Sequence, residues 1–316
     1  MDAKLKNQIS EGARQYINTK GMSQADFARY AGVGASYLSN ILNDKFEYNA
    51  GGEKMVQISD SNFEMIARAI GMSLMVAYWR TVETPQFIEV IQTLENGKAR
   101  GTAKMIIGET GCGKTYASDR FVKENPIHTY KITVSNQHKI RDVTGDIGEI
   151  MGVSMPHTKA SRMRAISSKL MDIRLQGGKP QIIIDEAENM THGMIGLTKG
   201  IYDGIREWAS LVIIGTEELV CKLDWMQKNP SKYEGIPQFR RRFKAGEVHL
   251  TPIDRNKHFE QFFADVQDAE LCKLLRGLCG NYGELHDFLE PAMREAAEDG
   301  VILTDQYFRT MYNIRA

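Results

Sequence analysis

With 316 residues, 42% of them hydrophobic and 25% charged, the chain has the make-up of an ordinary globular protein with room for two domains. No apolar run reaches the ~18 residues of a membrane span and Met1-Asp2-Ala3-Lys4 leads into no signal-peptide core, which argues against membrane partners and places the chain in the cytoplasm. Lys+Arg and Asp+Glu balance at 40 each, so bulk charge does not advertise nucleic acid and any such surface must come from local clustering.

The first 76 residues read as short helices. Residues 8–17 form a plausible first helix, broken at Gly21, and Ser23 is the expected N-cap of a helix over 24–30. Gly32-Val33 reads as a turn and residues 35–43 as another helix. Together these fit a helix-turn-helix: Ala28 is small where two helices cross, Gly32 permits a left-handed turn, and Val33, Leu38 and Ile41 bury the inner faces. Ala35, Ser36, Tyr37, Ser39 and Asn40 are then expected to face a DNA major groove. Six bases against five acids over residues 1–50 is a thin surplus for a DNA reader, and a helical hairpin for protein contacts is the alternative. Residues 48–52 read as loop. Ser61 or Asp60 would cap a final helix over 63–70, where Phe63, Ile66, Ala67 and Ile70 recur at helical spacing.

Residues 73–98 are helical in pattern, with an interruption at Pro85, and a connector over 77–100 is expected. Beyond it the period changes. Apolar runs at 104–107, 130–134, 181–184 and 211–214 alternate with helical stretches, which predicts an α/β fold with a parallel sheet covered on both faces.

The first run enters Gly108-Glu109-Thr110-Gly111-Cys112-Gly113-Lys114-Thr115, a full G-x-x-x-x-G-K-[ST] P-loop, with a helix expected to follow. Glycines let backbone N–H groups wrap a phosphate that a Cβ would push away, and the helix N-terminus adds positive dipole. Lys114 is expected to reach the β- and γ-phosphates of ATP and Thr115 to offer a hydroxyl to Mg²⁺. Downstream, Gln181-Ile182-Ile183-Ile184 delivers Asp185 to the metal side and Glu186 to the attacking water. A helix start that favours carboxylates is the bland alternative for the acidic pair.

Two basic stretches lie between these motifs. The loop over 136–141 carries Lys139 and Arg141, candidate DNA contacts. Residues 159–179 hold Lys159, Arg162, Arg164, Lys169, Arg174 and Lys179 against Asp172, while Met163, Ile166, Leu170 and Ile173 recur at helical spacing. That predicts an amphipathic helix with a basic outer face, for which solvation is the ordinary explanation. The four cysteines (Cys112, Cys221, Cys272, Cys279) have no metal-ligand spacing and read as reduced thiols.

A P-loop strand, an intervening strand at 129–134 and an Asp-Glu strand resemble the additional-strand ATPases and, within them, the AAA+ proteins. The likeness implies a core over 101–250 and a helical lid over 251–316. It also implies a first-sensor role for Thr216 after Ile214-Gly215, and an arginine finger in Phe239-Arg240-Arg241-Arg242-Phe243. Arg242 is the best match to the finger, with Arg241 second, and a solvated or DNA-facing patch is the alternative. At the second-sensor position, Gly283-Glu284-Leu285-His286 carries histidine where that family has arginine. The order of parts resembles the phage Mu B family of transposon target-selection ATPases. Arg80-Thr81-Val82-Glu83-Thr84, Asp185-Glu186-Ala187-Glu188 and the Arg242-Phe243 region add to the likeness.

That resemblance implies an ATP- and Mg²⁺-dependent ATPase that polymerises as a ring or filament on double-stranded DNA. It implies further that the protein recruits and stimulates a transposase, and that residues 82–84 lie beside the adenine. A helicase-loading or replication-initiating ATPase and a nucleotide-switched helix-turn-helix transcription regulator remain open as alternatives.

Overall fold

The computed structural model describes residues 3–49, 55–72, 78–206 and 208–315. Two compact units emerge, residues 1–77 and 78–316.

In the first unit, α1 (Ala3–Lys20), α2 (Gln24–Ala31), α3 (Ala35–Leu42) and α4 (Asp60–Ala69) enclose a core of Ile9, Phe27, Leu38, Ile41, Phe63 and Ile66. The first helix extends well beyond 8–17 at its N-terminal end. Ser23 caps α2, its hydroxyl accepting from the Asp26 N–H at 3.1 Å. Gly32 closes α2 at φ +72°, a left-handed conformation that costs a residue with a Cβ about 1–2 kcal/mol. Ser59, not Ser61 or Asp60, precedes α4 as its cap residue. The expected loop at 48–52 is corrected in part. Tyr48 and Asn49 belong to β1 (Glu47–Asn49), antiparallel to β2 (Met55–Gln57), and the Tyr48 ring meets that of Tyr37 edge-on. Residues 50–52 lie outside the described residues.

Of the stretch predicted helical over 73–98, residues 73–77 lie outside the described residues, residues 78–84 are not helical, and Pro85 opens the helix instead of interrupting it. The described part of the predicted connector is not free-standing. Thr84 caps α5 (Pro85–Arg100), with proline at the first helical position, where its missing N–H costs nothing. Val90 and Leu94 of α5 pack onto Ile106, Ile183, Val212 and Ile214 of the sheet.

The sheet comprises β3 (Ala103–Ile107), β4 (Thr129–Thr133), β5 (Gln181–Asp185), β6 (Ser210–Gly215) and β7 (Glu247–His249), all parallel, in the order β4-β5-β6-β3-β7. Here the sequence expectation needs correcting. The strand lying between the P-loop strand β3 and the Asp-Glu strand β5 is β6; β4 forms the sheet's edge. β5 and β6 are buried at every residue, as fits strands covered on both faces, whereas Lys131 and Thr133 make β4 an edge.

Around the sheet lie α6 (Lys114–Glu124), α7 (Ile140–Met151), α8 (Lys159–Leu175), α9 (His192–Ile205), α10 (Glu217–Gln227) and α11 (Ile236–Phe243). α8 buries Ile166, Leu170 and Ile173 as expected. Arg162 does not join its outer basic face. It is 7% exposed, and its guanidinium donates to Pro156 O at 2.6 Å, Thr144 Oγ1 at 2.9 Å and Arg141 O at 3.2 Å.

The C-terminal helices α12 (Arg255–His258), α13 (Ala269–Leu278), α14 (Tyr282–Glu298) and α15 (Asp305–Met311) share a core of Phe259, Leu271, Leu275, Leu285, Leu289 and Phe308. No helix among the described residues is long and apolar enough to cross a membrane.

Candidate nucleotide site

Parallel strands place all their carboxyl ends on one edge, and a crevice forms where neighbouring connections diverge. That edge gathers the candidate residues. Ile107 pairs with Gly215 and Ile184 with Ile213, so the turn after β3, Asp185 after β5 and Thr216 after β6 lie side by side. The Gly108 N–H donates to Gly215 O at 3.2 Å, which ties the loop to the base of Thr216.

The loop is built for an anion. Gly111 and Gly113 sit at φ +73° and +88°, left-handed conformations open to glycine. A Cβ on Gly108 would lie 2.7 Å from Leu250 and one on Gly111 2.2 Å from Asn281. Gly113 is the residue before α6, so the helix's unpaired N–H groups and positive dipole end point into the loop. Lys114 is buried, and its ammonium donates to Gly108 O at 2.8 Å and Glu109 O at 2.7 Å, which centres its charge inside the cradle. Thr110 and Thr115 are exposed. Cys112 is buried against Lys114, and that burial pushes its thiol up.

Asp185 is 1% exposed. Its Oδ1 accepts the Glu186 N–H at 2.9 Å, while Oδ2 has no aligned hydrogen-bond donor. Glu186 is exposed, with φ at +53°. A left-handed glutamate carries about 1–3 kcal/mol of strain that the surroundings must hold. The holding group is Asn189, which sequence reasoning missed. Its amide donates to Val134 O at 3.0 Å and to Glu186 Oε2 at 3.3 Å. The Thr216 hydroxyl is buried and has no hydrogen-bond partner among the described residues.

Beside the loop opens a cavity of about 340 Å³, walled by Trp79, Val82, Phe87, Tyr116, Phe262 and Tyr282 with Thr84 and His286. Trp79 stacks on Phe262 at 4.7 Å and meets His286 edge-on at 5.1 Å. The lid reaches the loop directly: the Gly283 N–H donates to Gly111 O at 3.2 Å, and the Tyr282 hydroxyl donates to Gln86 Oε1 at 2.8 Å. Burial drives the Tyr282 phenol far above its ordinary range, so it stays a neutral donor. His286 thus belongs to the cavity's aromatic wall, with Nδ1 3.0 Å from Asp287 Oδ1.

The residues fit a nucleotide and its metal. A glycine cradle with a lysine at its centre, an apolar aromatic slot beside it, the buried carboxylate of Asp185 and, among the described residues, the unpartnered hydroxyl of Thr216 are the complementary parts. Residues 99–223 match the AAA domain family, and residues 14–62 match the helix-turn-helix family.

The chain carries an AAA+ P-loop ATPase domain behind a helix-turn-helix domain.

The Mu-like prophage FluMu DNA transposition protein B of Haemophilus influenzae is 24% identical over 217 residues, covering 66% of this chain and 70% of that protein. The likeness to the Mu B family read from the motifs is therefore borne out. In fold, the chain is similar to the ORC2 protein of Aeropyrum pernix (TM-score 0.54, 15% identity, 77% of this chain and 71% of that one). It is also similar to CDC6P of Pyrobaculum aerophilum (TM-score 0.53, 15% identity, 73% and 66%).

The candidate arginines do not stand alike. Arg242 is gripped by Asp203, with Nε to Oδ1 and Nη2 to Oδ2 both 2.7 Å, and lies over the Tyr202 ring. Arg240 pairs with Asp224. Arg241 is exposed. Arg141 is in the first turn of α7, not in a loop, and Lys139 precedes it; both are exposed.

In the helix-turn-helix unit, Ala35, Ser36 and Ser39 are exposed while Tyr37 and Asn40 are half-buried. Tyr37 is engaged edge-on with Tyr48 at 5.0 Å. Of the bases counted there, Lys6 pairs with Asp60, Arg14 with Asp44 and Arg29 with Asp26, which thins the charge left for phosphates.

Proposed function

We propose that this protein is an ATP-dependent DNA-binding ATPase that assembles as a ring or helical filament on duplex DNA. It acts in DNA transposition, where it recruits and stimulates a transposase and steers insertion toward the DNA it covers. One observation carries the reading: Lys114, Asp185, Glu186 and Thr216 converge on a glycine cradle in a chain that also holds a helix-turn-helix. The likeness to a DNA transposition protein B supports the transposition role.

In this reading Mg·ATP supplies the phosphoanhydride and the metal that neutralises its oxygens. Backbone N–H groups at 108–115 and Lys114 hold the phosphates, Thr115 and Asp185 face the metal, and Trp79, Val82 and Phe262 enclose the base. Glu186, kept in place by Asn189, orients and deprotonates the attacking water, and Thr216 senses the terminal phosphate. Ser36, Tyr37, Ser39 and Asn40 read the major groove, and Lys139 and Arg141 add phosphate contacts. Electron microscopy with duplex DNA tests this directly. Continuous protein-covered DNA is expected with ATP and bare DNA without it; coverage indifferent to nucleotide would refute the coupling.

The finger is assigned to Arg241, since Arg242 is already committed to Asp203. An arginine finger acting on a neighbouring subunit is worth ~10³–10⁵ in rate. Arg241→Ala should therefore cut hydrolysis by about 10³ and regain part of it when mixed with Lys114→Ala. Arg242→Ala should chiefly lower thermal stability, by about 1 kcal/mol. Rescue by mixing of Arg242→Ala, with Arg241→Ala fully active alone, would return the role to Arg242.

A further inference from the structure

Asp185 is almost fully buried, and a carboxylate in that position needs a compensating charge. Its counter-charge comes from a residue outside the nucleotide motifs. Lys131, in the middle of the edge strand β4, extends its ammonium to within 2.9 Å of Asp185 Oδ2. The same ammonium lies 2.6 Å from Asp119 Oδ1 on α6 and 3.4 Å from Thr115 O. One cation is thus shared between two carboxylates of very different exposure. Asp185 is 1% exposed and Asp119 58%, while the lysine side chain itself is 8% exposed. The ammonium stands between Asp185 and the backbone of Thr115, the two residues that face the metal in the reading above.

We propose that Lys131 is a positioning residue, a resident counter-cation that holds the Asp185 carboxylate and sets the affinity of the site for divalent metal. It rests on the nucleotide reading and deepens it. Without metal, Lys131 balances Asp185. When a divalent ion neutralises that carboxylate, Lys131 is repelled and retains Asp119 as its partner. Asp119 is therefore a parking position, and the split of Lys131 between the two carboxylates fixes how much free Mg²⁺ the site requires.

Opposite effects are expected from the two ends of the pair. Lys131→Met removes the competing cation, whereas Asp119→Asn leaves Asp185 as the carboxylate paired with Lys131. A unit charge a few Å away in a partly buried site alters metal affinity by roughly ten-fold or more. The probe is the non-hydrolysable β,γ-imido analogue of ATP, titrated calorimetrically against the full chain over a range of free Mg²⁺. The Mg²⁺ concentration giving half-maximal tightening should fall roughly ten-fold in Lys131→Met. It should rise several-fold in Asp119→Asn and stay near wild type in Lys131→Arg. Because Asp119 is exposed, Asp119→Asn reports even where Lys131→Met fails to fold. Shifts of the same sign in both variants, or no shift in Asp119→Asn while wild type responds to Mg²⁺, would overturn the assignment. Wild-type binding indifferent to Mg²⁺ would instead overturn the nucleotide-site reading, and the inference with it.

Discussion

Lys114→Ala is expected to bind ATP at least about 100-fold more weakly than wild type and to lose ATP-promoted assembly on DNA. The ammonium sits within the glycine cradle, held by Gly108 O and Glu109 O at 2.8 and 2.7 Å. Its removal leaves backbone N–H groups and a helix dipole to hold a highly charged triphosphate. Charge-assisted contacts to an anion in such a pocket are each worth about 1.5–3 kcal/mol. Two phosphates share this lysine in P-loop sites, so losses add. Its stem is buried beside Cys112 without filling the main core, so the variant should fold. Filter binding of ATP and sedimentation of the protein with duplex DNA check both halves. Undiminished ATP-dependent assembly by Lys114→Ala would remove the cradle from the account.

Glu186→Gln should separate binding from turnover. The amide keeps the side chain's size and its contact with Asn189 but cannot take a proton. General-base catalysis contributes about 10²–10⁴ in rate, so hydrolysis should fall by that factor while ATP affinity holds. DNA-bound assemblies formed with ATP should then persist far longer than those of wild type. The strained φ of +53° is unaffected by the exchange, so a lost rate would reflect lost chemistry and not a relaxed backbone. Steady-state hydrolysis beside the dissociation rate from DNA gives both numbers. Wild-type disassembly kinetics in Glu186→Gln would assign water activation elsewhere.

Motifs whose chemistry is contiguous in the chain were legible from residues alone. The eight residues of the P-loop and the Asp185-Glu186 pair sit where a strand must end and a helix begin, and local physics dictates both. The helix-turn-helix was legible for the same reason, since Ser23, Gly32, Val33 and Leu38 act within about fifteen residues of one another.

What escaped depends on which strands become neighbours. Chain order made the run at 129–134 the intervening strand, whereas β6 holds that place and β4 is an edge. A signal was present, since Thr-Tyr-Lys-Ile-Thr is too polar for a strand buried on both faces, unlike Gln-Ile-Ile-Ile-Asp. Lys131 was invisible as a partner of Asp185 because that contact exists through the β4–β5 pairing. Nothing in the residues around Asn189 marks it as a support, because the left-handed backbone of Glu186 that it steadies is visible only in the fold. Arg162 was expected on an outer basic face and Arg242 as the arginine finger, and each is tied down within its own chain: Arg162 by Pro156, Arg141 and Thr144, and Arg242 by the distant Asp203. Composition cannot separate a solvated arginine from a clamped one, because the deciding partner comes from another element.

Equilibrium titration of Mg·ATP into the wild-type protein, beside Lys114→Ala at the same concentration, is the most direct trial. Saturable one-to-one binding by wild type, with the heat lost in the variant, is the predicted outcome. Equal heats from the two proteins, or none from either, would contradict a nucleotide held at the carboxyl edge of this sheet.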